Sequence, residues 1–171
     1  MEIKIIPFKK NLKYIKFLED NFEEKKDYSL LENKTIVVNI LDLKKNILGT
    51  ICLLDNKHLM KFLEDTNPDA TNNYVLRAAK GIHIYNFAVN KKNRKNKIGN
   101  KIINICLYIV KNLGYEYCHC HVDNNSISQK MFYKFGFVKE HSIYSLDNSK
   151  EASTKNIEPK KRKLDNMTYW V

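Results

Sequence analysis

The order of elements along this chain predicts a mixed α/β domain: one central sheet of about six to seven strands with helices on its faces. Two observations predict it. Apolar segments of period two and apolar stripes of helical period follow one another as β-α-β-β-β-α-β-α-β-β. Two helical segments close on glycine, at Gly114 and Gly136, and each hands on directly to another strand-like run. No internal repeat or domain boundary interrupts the pattern, so residues 1–171 read as one domain.

Glu2 to Pro7 alternates as an opening strand, and Pro7 stops it. Asn11 caps a helix running to about Phe22, with Tyr14, Phe17 and Leu18 on one face. Tyr28 to Leu31 reads as a second short helix. Thr35 to Leu41 is β-branched and strand-like, Asp42 to Asn46 is a polar turn, and Ile47 to Leu54 is the partner strand of a hairpin. Lys57 to Asp65 reads as a short helix and Asn67 to Asn73 as loop. Gly81 to Val89 is a strong strand, Ile98 to Leu113 a helix, Tyr115 to Val122 a strand, Ser126 to Phe135 a helix and Phe137 to Leu146 a strand. Asp147 to Lys163 is polar without apolar periodicity and reads as a long mobile loop, before a short final strand from Thr168 to Val171.

Composition narrows the function classes. A hydrophobic share of 43% supports a proper core. No apolar run approaches the roughly 20 residues needed to span a bilayer, and charges at Glu2 and Lys4 leave no secretory signal. Cys52, Cys106, Cys118 and Cys120 lie inside apolar segments, which suits a reduced, cytoplasmic protein. Net charge is +11, from 30 Lys and Arg against 19 Asp and Glu. That balance favours anionic partners, although lysine is spread over the whole chain, and no groove-reading motif points to nucleic acid. The run Lys160-Lys161-Arg162-Lys163 after Pro159 reads as a solvated loop, a basic flap, or a nuclear import signal.

The stretch from Val89 to Met131 carries the chemistry. A strand ends in Phe87-Ala88-Val89, and a basic loop from Asn90 to Gly99 opens a helix at once. Consecutive backbone N–H groups at a helix N-terminus trap phosphate, and Lys91, Lys92, Arg94, Lys95 and Lys97 add long-range attraction. Cys118-His119-Cys120-His121 is strand-like, so its cysteines face one side and its histidines the other. Four such ligands do not meet one tetrahedral zinc, and no metal or Cys118–Cys120 disulfide is expected. His121 and Asp123 end that strand, where α/β sheets place ligands.

These residues resemble the GNAT superfamily, the acetyl-CoA-dependent N-acetyltransferases. In that family a strand ending in Val precedes Arg/Gln-x-x-Gly-x-Gly/Ala, and here Val89 precedes Arg94-Lys95-Asn96-Lys97-Ile98-Gly99. Lys97 replaces the first glycine, and Gly99 keeps the second. Asn125-x-x-Ser128-x-x-Met131-Phe132-x-Lys134-Phe135-Gly136-Phe137 is similar to the family's later helix, with Phe132 where relatives place a tyrosine and Tyr133 one residue on. The resemblance implies acetyl-CoA as co-substrate. It would be held by Phe87, Ala88, Val89, Arg94, Lys95, Asn96, Lys97, Ile98, Gly99, Asn100, Asn125, Ser128 and Phe132, between two central parallel strands that splay apart. Val89 in particular would offer its N–H to the thioester.

The implied reaction is acetyl transfer to a primary amine by direct attack. On the strand entering the site, period two would put His83, Tyr85, Phe87 and Val89 on one face. His83 is the candidate base, with Tyr85 as a packing or substrate residue and Tyr133 as a stand-in general acid. Packing alone also accounts for His83. The acceptor reads as a small phosphorylated amino sugar such as glucosamine 6-phosphate; the alternatives are a polypeptide N-terminus or lysine, and a non-catalytic acyl-CoA-binding protein. A homodimer is left open.

Overall fold

The computed structural model describes residues 1–8, 12–21, 35–59, 80–146 and 161–171. Its elements are β1 (Glu2–Pro7), α1 (Leu12–Asn21), β2 (Thr35–Leu41), β3 (Ile47–Asp55), β4 (Gly81–Val89), a 3₁₀ turn (Lys91–Asn93), α2 (Ile98–Asn112), β5 (Tyr117–Asp123), α3 (Ile127–Lys134), β6 (Val138–Leu146) and β7 (Lys161–Trp170). The strands form one seven-stranded sheet in the order β1-β2-β3-β4-β5-β7-β6. Every neighbouring pair is antiparallel except β4 and β5, which are parallel. The mixed α/β expectation holds. The short helices read over Tyr28–Leu31 and Lys57–Asp65 and the loop Asn67–Asn73 lie wholly or mainly outside the described residues.

Local chemistry explains the elements. The β2–β3 turn is closed by the Asp42 carboxylate, which accepts from the Asn46 backbone N–H at 2.8 Å and from Asn46 Nδ2 at 3.0 Å. α2 ends in a cap where the Leu113 N–H reaches Ile109 O at 2.9 Å and Gly114 takes φ 75°. Tyr115 is spent on the same cap, its N–H donating to Val110 O at 3.2 Å. β5 therefore starts at Tyr117, two residues later than the apolar pattern suggested. α3 is opened by Ser126, whose hydroxyl accepts from the Gln129 N–H at 3.0 Å, while Gln129 Oε1 accepts from the Asn125 N–H at 2.9 Å.

One boundary differs substantially. The loop read over Asp147–Lys163 is strand from Lys161, and residues 147–160 lie outside the described residues. β7 runs to Trp170 because it pairs on both sides, with Tyr117–Asp123 of β5 and with Val138–Leu146 of β6. Two neighbours impose extended backbone on a segment whose composition hides it.

Helices cover both faces of the sheet. On one, α2 and α3 bury Ile98, Ile102, Ile103, Cys106, Val110 and Phe132 against Val38, Ile40, Ile51, Leu53, Ile82 and Ile84. On the other, α1 presents Tyr14, Phe17 and Leu18 to Val37, Cys52 and Ala88, as its apolar stripe required. Among the described residues no helix is long and apolar enough to cross a membrane.

Ile102 is fully buried where α2 crosses β3. Ile102→Ala removes three carbons there and leaves a cavity, so unfolding free energy drops by about 2–5 kcal/mol in urea titration.

Candidate active site

The parallel pair β4–β5 positions everything else. Its ladder runs Gly81↔Tyr117, Ile82↔Cys118, His83↔His119 and Ile84↔Cys120, and stops. Beyond it β4 continues to Val89 held by β3, and β5 continues to Asp123 held by β7. The inner edges of both strands part while their outer edges stay paired. A wedge opens toward the C-terminal ends of the two strands, where α2 and α3 begin.

A β-bulge sets the bend. Leu53 pairs with Ile84 and Cys52 with Asn86, so Tyr85 is the extra residue on β4. The bulge shifts the alternation and corrects the shared face expected for His83, Tyr85, Phe87 and Val89. Phe87 and Val89 pack with Ile82 and Ile84 on the α2–α3 side, whereas Tyr85 and Ala88 pack on the α1 side. The His83 and Tyr85 rings stay near each other, with centres 6.2 Å apart.

The turn after β4 is locked by its own backbone and by α1. The Asn90 N–H donates to Leu48 O at 2.9 Å, the Asn93 N–H to Asn90 O at 2.8 Å, and the Lys92 N–H to Asn90 Oδ1 at 3.0 Å. Asn21, the last residue of α1, accepts the Lys91 N–H on Oδ1 at 3.0 Å. Lys95 has φ 76° and Lys97 has φ 57° and ψ 14°, both left-handed. Lys97 thus adopts the conformation for which glycine is usually chosen, and the turn forms without glycine. The Lys101 N–H is bonded to Lys97 O at 3.1 Å, which leaves the first-turn N–H groups of Ile98, Gly99 and Asn100 outside the helical ladder. Arg94, Lys95, Lys97 and Lys101 are exposed around them, and α2 has no acidic residue in its first turn. The arrangement suits a diphosphate.

Gly99 has a packing role. A Cβ there would lie 3.1 Å from Met131 Sδ and 3.3 Å from Phe87 Cζ, so its absence lets α2 start against α3 and β4. Between α1, the β2–β3 turn and the 3₁₀ turn lies an open cleft of about 390 Å³ lined by Lys13, Lys16, Phe17, Asp20, Asp42 and Lys92, among others.

The structure sorts the residues read on α3. Phe132 is 1% exposed and stacks edge-on against Phe87 at 5.8 Å and Phe137 at 4.8 Å, as a core side chain. Tyr133 is 47% exposed, about 100° further round the helix. Asn125 takes φ 61° before the cap and is exposed, and Ser128 is half-buried.

On the α1 side of the wedge, His83, His119 and His121 meet. Ring centres are 4.6 Å apart for His83–His119, 5.3 Å for His83–His121 and 6.1 Å for His119–His121. His119 Nε2 lies 3.0 Å from Asn56 Oδ1, and Asn56 Nδ2 donates to the Tyr117 hydroxyl at 3.1 Å. Sequence reasoning missed His119 and Asn56. Alternation put His119 and His121 on one face, but the pairing with β4 that brings them to His83 has no local signal. Among the described residues no group of three or more His, Cys, Asp or Glu could hold a metal ion.

The thiols are not nucleophiles. Cys52, Cys106, Cys118 and Cys120 are free and buried. Burial pushes Cys52 up to about 12, against hydrogen bonds from Tyr14 and Asn86 that pull it down. A hydrogen bond with Cys106, then burial, raises Cys118, and burial raises Cys120.

Two outcomes follow from this geometry. Lys97→Gly relieves the left-handed strain and raises unfolding free energy by about 1 kcal/mol in urea. Folded Cys52 keeps its proton to about pH 12, while an unfolded thiol loses it near 8.5. Its contribution is therefore complete below pH 8.5 and declines as pH rises. The urea midpoint falls between about pH 8 and 10, and less steeply in Cys52→Ala.

Known proteins share this architecture. The E. coli ribosomal-protein-S18-alanine N-acetyltransferase superposes with a TM-score of 0.69 at 7% identity, over 99% of this chain and 94% of that one. NAA60 of Arabidopsis thaliana, solved with acetyl-CoA, gives 0.68 at 12% identity over 99% of both chains. An IAA acetyltransferase from Bacillus cereus gives 0.65 at 17% identity over 99% of both chains. Among curated proteins none matches the sequence. The family profile described as Acetyltransferase (GNAT) family matches residues 7–137, from the end of β1 to the residue before β6. This chain belongs to the GNAT family of acetyl-CoA-dependent acetyltransferases.

Proposed function

We propose that the chain transfers the acetyl group of acetyl-CoA to a primary amine by direct attack, without a covalent enzyme intermediate. One observation carries the reading: β4 and β5 part after Ile84 and Cys120, at the end of the sheet where the Arg94–Asn100 turn lies. When bound, the co-substrate supplies an acetyl thioester and so an activated carbonyl. The chain's residues do the rest. The N–H groups of Ile98, Gly99 and Asn100 and the side chain of Arg94 hold the diphosphate. The inner edge of β4 from Asn86 to Val89, which β5 does not pair, would offer backbone donors and acceptors to the amide-bearing arm and to the carbonyl oxygen. All four thiols are buried, which leaves no accessible cysteine to form an acyl-enzyme.

His83 takes the amine proton. It is 7% exposed beside the parting of the strands, with His119 and His121 against its ring. The attacking amine must be neutral, and an α-amino group near 7.7–8.0 supplies more of that form at neutral pH than an alkylammonium near 10.4. An amine of lowered basicity is the favoured acceptor: an amino sugar, whose hydroxyls withdraw electrons, or a polypeptide N-terminus, ahead of a lysine side chain. Glucosamine 6-phosphate leads because the surface beside the turn is cationic. The N-terminal reading is favoured by likeness to an enzyme named for the alanine of ribosomal protein S18. Phe132 offers no hydroxyl to the leaving thiolate, so Tyr133 or water protonates it.

Titration calorimetry with acetyl-CoA, followed by thiol release over glucosamine 6-phosphate, free-N-terminus peptides and lysine peptides, tests this. Binding is saturable, and Arg94→Glu weakens it about tenfold through a lost charged hydrogen bond. His83→Ala lowers kcat about a hundredfold or more and leaves affinity unchanged. Affinity indifferent to Arg94→Glu, or thiol release fastest with lysine peptides, overturns the assignment.

A further inference from the structure

We propose that Asn56 is a positioning residue for proton transfer: its amide fixes the tautomer and ring orientation of His119, and His119 in turn holds the imidazole of His83. The inference rests on the reading of His83 as the base.

Asn56 is 4% exposed and follows the last residue of β3. Its nitrogen is committed to the Tyr117 hydroxyl at 3.1 Å. Its oxygen therefore faces His119 Nε2 at 3.0 Å, and an amide oxygen only accepts. His119 donates there, so its Nε2 carries hydrogen in both charge states and its neutral form keeps the lone pair on Nδ1. The His119 ring is pinned at one end and lies 4.6 Å, centre to centre, from His83. Gly81 makes room for the pin. A Cβ at Gly81 would stand 2.3 Å from Tyr117 Cζ and 2.5 Å from Asn56 Nδ2.

Titratable groups approach the cluster from several elements. His83 faces Tyr85 from its own strand, and His119 and His121 from β5. Thr168 and Asn166 of β7 stand opposite His119 and His121 in the ladder. Tyr14 of α1 is bonded to Cys52 and Thr50 on this face. Asp55, next to Asn56, accepts from Tyr115 Oη at 2.8 Å and lies 3.9 Å from His58 Nδ1; Glu116, next to Tyr117, is paired with Lys80 at 2.6 Å; and Asp123 is two residues past His121 on the exposed end of β5. With three imidazoles this close, one proton on the cluster opposes a second, and a charge placed at position 56, 3.0 Å from His119 Nε2, acts on the cluster directly.

Wild type, Asn56→Asp and Asn56→Leu are compared by the pH profile of kcat/KM, by calorimetry with acetyl-CoA, and by nitrogen-15 NMR of the histidine rings. Asn56→Asp is isosteric and keeps an acceptor for His119. It is expected to move the acidic limb upward by roughly one pH unit, as a neighbouring carboxylate stabilises imidazolium. Asn56→Leu is expected to lower kcat about tenfold or more, leave the acetyl-CoA affinity unchanged, and free His119 to populate the other tautomer. An acidic limb that stays put in folded Asn56→Asp, or a wild-type His119 spectrum of the Nδ1–H form, overturns the inference. A wild-type protein that binds acetyl-CoA and turns over no amine, with His119 held as Nε2–H, overturns the base assignment instead and limits Asn56 to holding His119.

Discussion

The short parallel ladder between β4 and β5 is the constraint on which the rest depends. Four register pairs hold the strands together, and none holds them beyond Ile84 and Cys120. A continued ladder would have closed the sheet and satisfied every backbone group inside it. Because the bulge at Tyr85 bends β4 just there, the strand keeps β3 as a partner and loses β5. Past Ile84 and Cys120 the two strands no longer pair with each other, and the turn after Val89 begins at the mouth of the opening. On the reading proposed above, the place for a long, amide-bearing, phosphorylated ligand would follow from where one pairing ends.

The sheet divides its labour between faces. Against α2 and α3 it buries hydrocarbon and thiol, with Ile51, Leu53, Ile82, Ile84, Cys118 and Cys120 all closely packed. On the opposite face, part of which α1 covers, it buries Thr50, Asn86, His83, His119, Asn166 and Thr168. The first face supplies the apolar burial that holds the fold. The second holds the groups that exchange protons and hydrogen bonds, at the cost of desolvating them. Hydrogen bonds such as the one Asn56 donates to Tyr117 and the one it accepts from His119 offset part of that cost.

Much of this was legible in the residues. Period and punctuation gave β1, β2, β4, α1, α2 and α3 almost to the residue, because each carries its own apolar pattern and caps such as Ser126 with Gln129 or Gly114. The basic turn was legible because its cations sit directly between a strand and a helix. What failed depended on partners distant in sequence. β7 is a strand because β5 and β6 flank it, and Lys161–Lys163 carry no sign of that. Strict alternation misplaced Phe87 and Val89 because a bulge is an event between two strands and leaves no mark on one. The histidine cluster needed β4 and β5 side by side, and Asn56 contributes from 63 residues before His119.

The bond from the Lys91 N–H to Asn21 Oδ1 joins the last residue of α1 to the start of the basic turn. A displacement of α1 on its face of the sheet therefore bears on the backbone ahead of α2, and the reverse. Under the acetyltransferase reading proposed above, a ligand that favours one arrangement of α1 would favour one arrangement of that turn, and by thermodynamic reciprocity such a coupling would act equally in both directions.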